Sequence, residues 1–261
     1  MPSRKIAEDY NTFAKQWYEA KKNRQINPVH DFVNIPSMHR MLPSIKEKAV
    51  LCTGCGTGEE CTYLKSKGAK RVVGTDISKN MIKYARLAHK GIEFYTMPIE
   101  KQDFEAGSFD LVYASLVLHY VKDWESTLAG IRRLLKKDGI FLFSVHHPAK
   151  WGSWRKKNKD FSINVLGYMN DKKNGRVKVY GDYFSVRMIH DTWYKTVQGA
   201  ELSVDYYNIP ISKMINSILK AGFKILEMEE PKPIARAKKL APSFYKTSSK
   251  IPLLLVFKLK K

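Results

Sequence analysis

The chain has 261 residues, 44% of them apolar, which is enough for one sizeable hydrophobic core or one core plus a small inserted lobe. No run of about 18 apolar residues occurs, which argues against a membrane-spanning helix. The formal net charge is +21, from 46 Lys and Arg against 25 Asp and Glu. Such a balance attracts nucleic acid, an anionic membrane or an acidic substrate, but the excess is spread along the chain and reads first as a solvated, lysine-rich surface. The three cysteines, Cys52, Cys55 and Cys61, form no disulfide framework. They fit a reducing compartment, so a cytoplasmic location is expected. The polar start does not read as a secretory signal.

In residues 5–22 the apolar side chains Ile6, Tyr10, Phe13, Ala14, Trp17 and Tyr18 recur at spacings of three and four, predicting an amphipathic helix. A proline-bearing stretch follows, with a shorter helical segment near 32–42. From residue 48 strands and helices alternate: a strand over 49–52, a helix over 59–67 ended by Gly68, and a strand over 71–76. A helix capped by Ser78 runs to about 90, followed by strands over 92–96 and 109–114. A helix over 124–136 and a strand over 140–145 complete the pattern, which predicts a parallel sheet covered on both faces. Regularity breaks between 147 and 208, where aromatic and basic residues mix and 177–187 and 191–207 look like irregular antiparallel strands. A helix over 212–220, a strand over 223–228, a proline-marked loop and a last strand over 251–259 follow.

The strand containing Val50 and Leu51 runs into Gly54-Cys55-Gly56-Thr57-Gly58 and then into a helix. Glycines here permit positive φ and let a ligand approach the backbone. About twenty residues on, a second strand ends in Asp76, where an acid accepts hydrogen bonds from ribose hydroxyls in nucleotide-binding sheets. Dinucleotide folds favour G-x-G-x-x-G around a pyrophosphate. This turn is G-x-G-x-G, with Glu59 where the third glycine would fall. A glutamate there suits a pyrophosphate poorly and a phosphate-free, cationic nucleoside well.

Val50 to Gly58 resembles the first motif of class I S-adenosylmethionine (SAM) dependent methyltransferases, commonly V-L-D-x-G-C-G-T-G, and Gly74-Thr75-Asp76-Ile77-Ser78 resembles the second. Ser108 to Val112 and Ala114 to Tyr120 are similar to the fourth strand and its exit in the small-molecule ("type 11") branch. Ile131 to Gly139, Phe143-Ser144-Val145-His146-His147-Pro148 and Ala221-Gly222-Phe223 match it in character. The resemblance implies a Rossmann-like α/β fold: a seven-stranded, mostly parallel sheet, helices on both faces, the last strand antiparallel. It divides the chain into an N-terminal helical cap (1–46), a SAM-binding core (47–148), an inserted aromatic and basic substrate lid (149–208) and a completion of the sheet (209–261).

The resemblance also implies the site. The glycine turn (Thr53, Gly54, Cys55, Gly56, Gly58) and Asp76 with Ile77 would hold the cofactor. Met81, Pro98 and Ile99 would pack the adenine, Ser115 and Leu116 would close the fourth strand, and Tyr10, Trp17 and Tyr18 on the N-terminal helix would either cover the sulfonium or form a buried helix face. Two positions depart from the pattern. Cys52 stands where the first motif carries an acid, so that either binding weakens or Glu59 or Glu60 compensates. Met97-Pro98-Ile99 lacks the acid that often meets the adenine amine. His119, His146 and His147 follow strand ends on the same rim and are the candidate proton acceptors. Trp151, Tyr183 and Trp193 are candidate substrate contacts. No metal is expected: Cys52-x-x-Cys55 has no second Cys/His pair at a fitting distance.

The expected reaction is methyl transfer from SAM, leaving S-adenosylhomocysteine, to an O, N or C nucleophile of a small molecule, with an anionic acceptor in keeping with the basic insertion. Two alternatives stay open: an RNA-directed enzyme using the basic surface, and a non-catalytic SAM-binding module.

Overall fold

The computed structural model describes residues 2–157, 162–197 and 200–261; the side chains of 2, 3, 157, 162, 193–197 and 200–202 lie outside that description. Helix α1 (Pro2–Lys22) is followed by a π-helical turn (His30–Asn34) that runs into α2 (Ile35–Met41), then by β1 (Ala49–Thr53), α3 (Glu59–Ser66), β2 (Arg71–Asp76), α4 (Lys79–Ala88), β3 (Glu93–Thr96) and β4 (Phe109–Ser115). Next come α5 (Trp124–Leu134), β5 (Leu135–His146), α6 (Pro148–Trp151) and six strands in pairs: β6 (Trp154–Lys157), β7 (Ser162–Val165), β8 (Gly167–Asp171), β9 (Arg176–Tyr180), β10 (Arg187–Val197) and β11 (Ala200–Asn208). The chain ends with α7 (Ile211–Lys220), β12 (Lys224–Glu229), α8 (Ala237–Leu240), α9 (Pro242–Ser248) and β13 (Leu254–Lys260).

Seven strands form one sheet in the order β3-β2-β1-β4-β5-β13-β12. β1 to β5 pair parallel, and β13 alone runs antiparallel, against both β5 and β12. The period-2 alternation of side chains sorts the core into two layers. Leu51, Val112, Phe141, Phe143 and Phe257 face α5 and α7. Val50, Cys52, Leu111, Tyr113 and Leu142 face α2, α3 and α4. The strand order reverses between β1 and β4, so the carboxyl ends of these two strands flank a crevice.

Ser78 caps α4 as expected, its Oγ accepting from the Met81 N–H at 3.1 Å. Four details differ from expectation. α5 ends at Leu134, and the strand begins at once: the ladder passes from Phe109–Leu135 to Leu111–Ile140, and the intervening turn is absorbed as an irregularity with Asp138 at φ +61°. Among the described residues the insertion holds three two-stranded antiparallel sheets rather than two long strands. The strand expected over 177–187 stops at Tyr180, because Gly181 turns the chain at φ +78°, close against the backbone of Ser153 and Trp154. The loop expected after β12 contains α8 and α9, and Pro242 stands in the first turn of α9, where its fixed φ suits a helix start.

Among the described residues no helix is long and apolar enough to cross a membrane.

Candidate active site

A cavity of about 650 Å³ opens at the crevice between the ends of β1 and β4. The glycine turn forms its floor. Gly54, Gly56 and Gly58 have φ of +64°, +54° and +95°. A side chain on Gly54 would stand 2.2 Å from a Val117 methyl, and one on Gly58 would meet His89 and Phe94. Gly56 differs: a Cβ there would meet only the Trp17 indole nitrogen, at 3.9 Å, so its bare backbone faces open space.

Asp76 fixes this turn. One carboxylate oxygen accepts the Gly56 N–H and the other the Ser78 N–H, both at 2.9 Å. Burial pushes the carboxyl above its ordinary pKa, and these two backbone donors pull it back. Beside Asp76 lie Ile77, Met81, Pro98 and Ile99, an apolar slot with Glu100 nearby on the wall. Ser115 and Leu116 close the β4 side. Leu116 sits at φ +58°, in the left-handed region, and its N–H donates to the Ser144 hydroxyl at 3.0 Å. α1 covers the cavity with Ile6, Tyr10, Phe13, Trp17 and Lys21. The Tyr10 and Tyr120 hydroxyls meet at 2.5 Å, and Asn11 takes the Ser78 hydroxyl at 2.8 Å, which ties α1 to the strand ends beneath it.

At the other end stands an aromatic wall. β4 and β5 pair through Ser115 and Ser144, so their exits bring His119 and His146 face to face at 3.6 Å. Trp151 from α6 stacks on the far side of His146 at 4.2 Å, held by its indole N–H donating to the Leu253 carbonyl at 2.8 Å. Tyr206 of β11 packs edge-on against His146 and Trp151. Arg155 lies over both Trp151 and Tyr206, pairs with Asp191 at 2.6 Å and donates to the Tyr206 hydroxyl. His119 is buried, and neither of its ring nitrogens has a hydrogen-bond partner. Burial pushes its pKa down to about 3 and holds that of His146 well below the ordinary value, so both rings are neutral at physiological pH.

This neutrality has a stability consequence. Both folded pKa values lie below the ordinary 6.5, so below that pH the unfolded chain binds more protons. Stability is intact above pH 6.5 and falls as pH drops toward the folded values, by about 1.4 kcal/mol per pH unit for each ring. Urea unfolding at pH 8, 6 and 5 is expected to show a shallower acid loss for His119→Asn than for the unmodified protein. Equal losses would mean that the ring protonates freely within the fold.

Of the residues singled out from sequence, Tyr10, Gly54, Cys55, Gly56, Asp76, Ile77, Met81, Pro98, Ile99, Ser115, Leu116, His119, His146 and Trp151 all line this one cavity. Five lie elsewhere. Tyr18 stacks on Tyr84 at 4.7 Å, and Trp17 takes the position over the turn. Thr53 is buried within the core at the end of β1. Gly58 packs against His89 and Phe94. The His147 ring is occupied, accepting the Ala149 N–H at 3.1 Å and meeting Glu230 at 2.6 Å. The Tyr183 hydroxyl accepts the Ile211 N–H at 3.4 Å. The side chain of Trp193 lies outside the described residues. Trp17, Glu59 and Glu60, also named from sequence, line the same cavity, and the structure adds Tyr120, Arg155, Asn164 and Asp191 to the wall.

A model of the Methyltransferase domain matches residues 51–143, the segment that carries the glycine turn, Asp76 and the β4 exit. Among solved structures, an S-adenosylmethionine dependent methyltransferase from Mesorhizobium loti is 25% identical, with a TM-score of 0.66 over 87% of this chain and 96% of that one. An uncharacterized protein of Haemophilus influenzae is 28% identical over 82% of this chain and 83% of its own length. The malonyl-[acyl-carrier protein] O-methyltransferase of Halalkalibacterium halodurans is 24% identical over 90% of this chain and 89% of its own. The domain match falls on the strands that build the cavity floor, and the M. loti enzyme aligns over 87% of this chain: the chain is a SAM-dependent methyltransferase with the Rossmann-like fold of class I.

Proposed function

We propose that this methyltransferase acts on a small molecule held against His119, His146 and Trp151, with SAM seated on the glycine turn and its ribose on Asp76. The continuity of one cavity carries the reading, because it joins the turn and Asp76 to the aromatic wall without a break.

The residues present fit the cofactor. Each Asp76 oxygen takes one backbone N–H and keeps a lone pair for a hydroxyl. The open face of Gly56 leaves room for a ligand against the backbone. Ile77, Met81, Pro98 and Ile99 offer apolar packing for a purine. Bound SAM supplies an already activated methyl group, so the protein's task is alignment and exclusion of water. The N-terminal helical cap, residues 1–46, excludes water with Tyr10, Phe13 and Trp17 of α1. Residues 149–208 act as a lid that brings Trp151 and Arg155 to the acceptor. His119 presents a neutral ring with two unpartnered nitrogens to hydrogen-bond the acceptor. With its pKa near 3, it is a weak proton acceptor. It therefore orients a nucleophile that is acidic or already ionised, rather than deprotonating an alcohol. An oxygen nucleophile is favoured by the H. halodurans relative, whose name is that of an O-methyltransferase.

The cavity wall carries five carboxylates, Glu59, Glu60, Asp76, Glu100 and Asp191, against the three cations Lys21, Lys150 and Arg155. The positive excess of the chain thus lies outside the site, which favours a small acceptor over a nucleic-acid strand. Incubation with methyl-labelled SAM and a panel of carboxylic acids, phenols and amines is expected to place the label in small molecules, with transfer insensitive to moderate salt. Label recovered in RNA, with steep loss on adding salt, would reverse the assignment. Trp151→Leu is expected to raise KM for the acceptor about 2- to 13-fold and leave SAM affinity unchanged, since an aromatic contact contributes about 0.5–1.5 kcal/mol beyond its burial. An unchanged KM would remove Trp151 from the acceptor site.

A further inference from the structure

The strand ends under the cavity run in the order β2, β1, β4. Asp76 stands at the first. At the second the side chain is the buried thiol of Cys52. Its partner in register on β4 is Tyr113, on the same face of the sheet. Neither contributes a carboxylate, so an acid on this side of the floor must come from elsewhere.

Helix α3 supplies it. Glu60 lines the cavity together with Cys52. Its Oε2 accepts from the Tyr113 hydroxyl at 2.6 Å and from the His39 ring at 3.3 Å. His39 is itself stacked on Tyr63 at 3.4 Å, so the carboxylate is fixed from two sides. Among the described residues, Glu60 Oε1 takes no hydrogen bond. The other acids nearby are engaged differently: both oxygens of Glu59 accept from the Thr57 hydroxyl, at 2.7 and 2.8 Å, and both of Asp76 hold backbone N–H groups.

SAM has a nucleoside end and an aminoacyl end. With the ribose on β2, the aminoacyl end would extend toward β1 and β4, and its ammonium would enter the cavity that α1 covers. An ammonium taken from water needs a fixed carboxylate. We propose that Glu60 is the carboxylate that receives the SAM ammonium, so that an acid on α3 serves where the β1 end carries Cys52. The assignment rests on the reading that SAM occupies this cavity with its ribose on Asp76.

The test compares two ligands by calorimetry: S-adenosylhomocysteine and its deaminated analogue, which keeps the nucleoside, the sulfur and the carboxylate. In the unmodified protein, loss of the amine is expected to weaken binding about 10- to 100-fold, the range for a charge-assisted hydrogen bond. In Glu60→Gln the two ligands are expected to bind within about threefold of each other, and Cys52→Asp in that background is expected to reopen the gap. A gap that persists in Glu60→Gln, or no gap in the unmodified protein, overturns the proposal. If Glu60→Gln does not fold, Tyr113→Phe replaces it, and the gap is then expected to shrink about 3- to 10-fold because the carboxylate loses one of its two anchors; an unchanged gap counts against the proposal. Binding of neither ligand to the unmodified protein would instead remove the cofactor reading on which this one stands.

Discussion

Asp76→Ala is expected to weaken SAM binding by about 2–4 kcal/mol, roughly 30- to 1,000-fold. The carboxylate does two things at once in the proposed site. It is the acid proposed to meet the ribose, and it accepts the N–H groups of Gly56 and Ser78 that hold the turn and the start of α4. Alanine leaves the buried Ser78 N–H unpaired, which costs about 1–3 kcal/mol, and frees the Gly56 N–H, which faces the open cavity. Thermal stability should therefore fall even without ligand. Affinity is to be measured by calorimetry at a temperature where circular dichroism shows the variant folded. Unchanged affinity would mean that the ribose lies elsewhere.

The second large effect is expected at Gly54. Alanine there would hold φ near +64°, costing about 1–2 kcal/mol, and would drive a methyl group to 2.2 Å from Val117. Overpacking of this kind adds about 1–3 kcal/mol, so Gly54→Ala should lose about 2–5 kcal/mol in all. Gly91 isolates the backbone contribution: its φ is +78°, and nothing lies within 4 Å of a Cβ added there. Gly91→Ala should lose only about 1–2 kcal/mol. Val117→Ala in the Gly54→Ala background should recover the part due to the clash. Equal losses at Gly54 and Gly91 would show that Val117 moves aside without penalty.

Much of this floor was legible in the sequence, because its signals are local. A short apolar strand running into G-x-G-x-G, and a second strand ending in Asp76, specify a turn and an acid within about thirty residues. The parallel pairing of β1, β2 and β4 then brings them together. His119 and His146 were legible for a related reason, since each follows the end of a strand and the two strands are neighbours.

What the sequence did not reveal depends on rotation or on distant partners. Trp17 and Tyr18 are adjacent, but one residue along a helix is a turn of about 100°. Trp17 therefore stands over Gly56 while Tyr18 stacks on Tyr84. Strand periodicity acts in the same way on His146 and His147: the first faces the cavity, and the second is taken by Glu230, 83 positions along the chain. The sequence offers Glu59 and Glu60 equally in place of an acid at Cys52 and does not choose between them. The choice depends on Tyr113 and His39, which reach Glu60 from 53 and 21 positions away. The pairing of Arg155 with Asp191 joins two different two-stranded sheets and follows no short-range rule.

The most direct test of the account is a crystal structure with S-adenosylhomocysteine bound. The account expects the ribose hydroxyls on Asp76, the adenine among Ile77, Met81, Pro98 and Ile99, and the sulfur facing the end of the cavity where His119 and His146 stack. A nucleoside bound against Trp151 and Arg155, with Asp76 making no ligand contact, would contradict it.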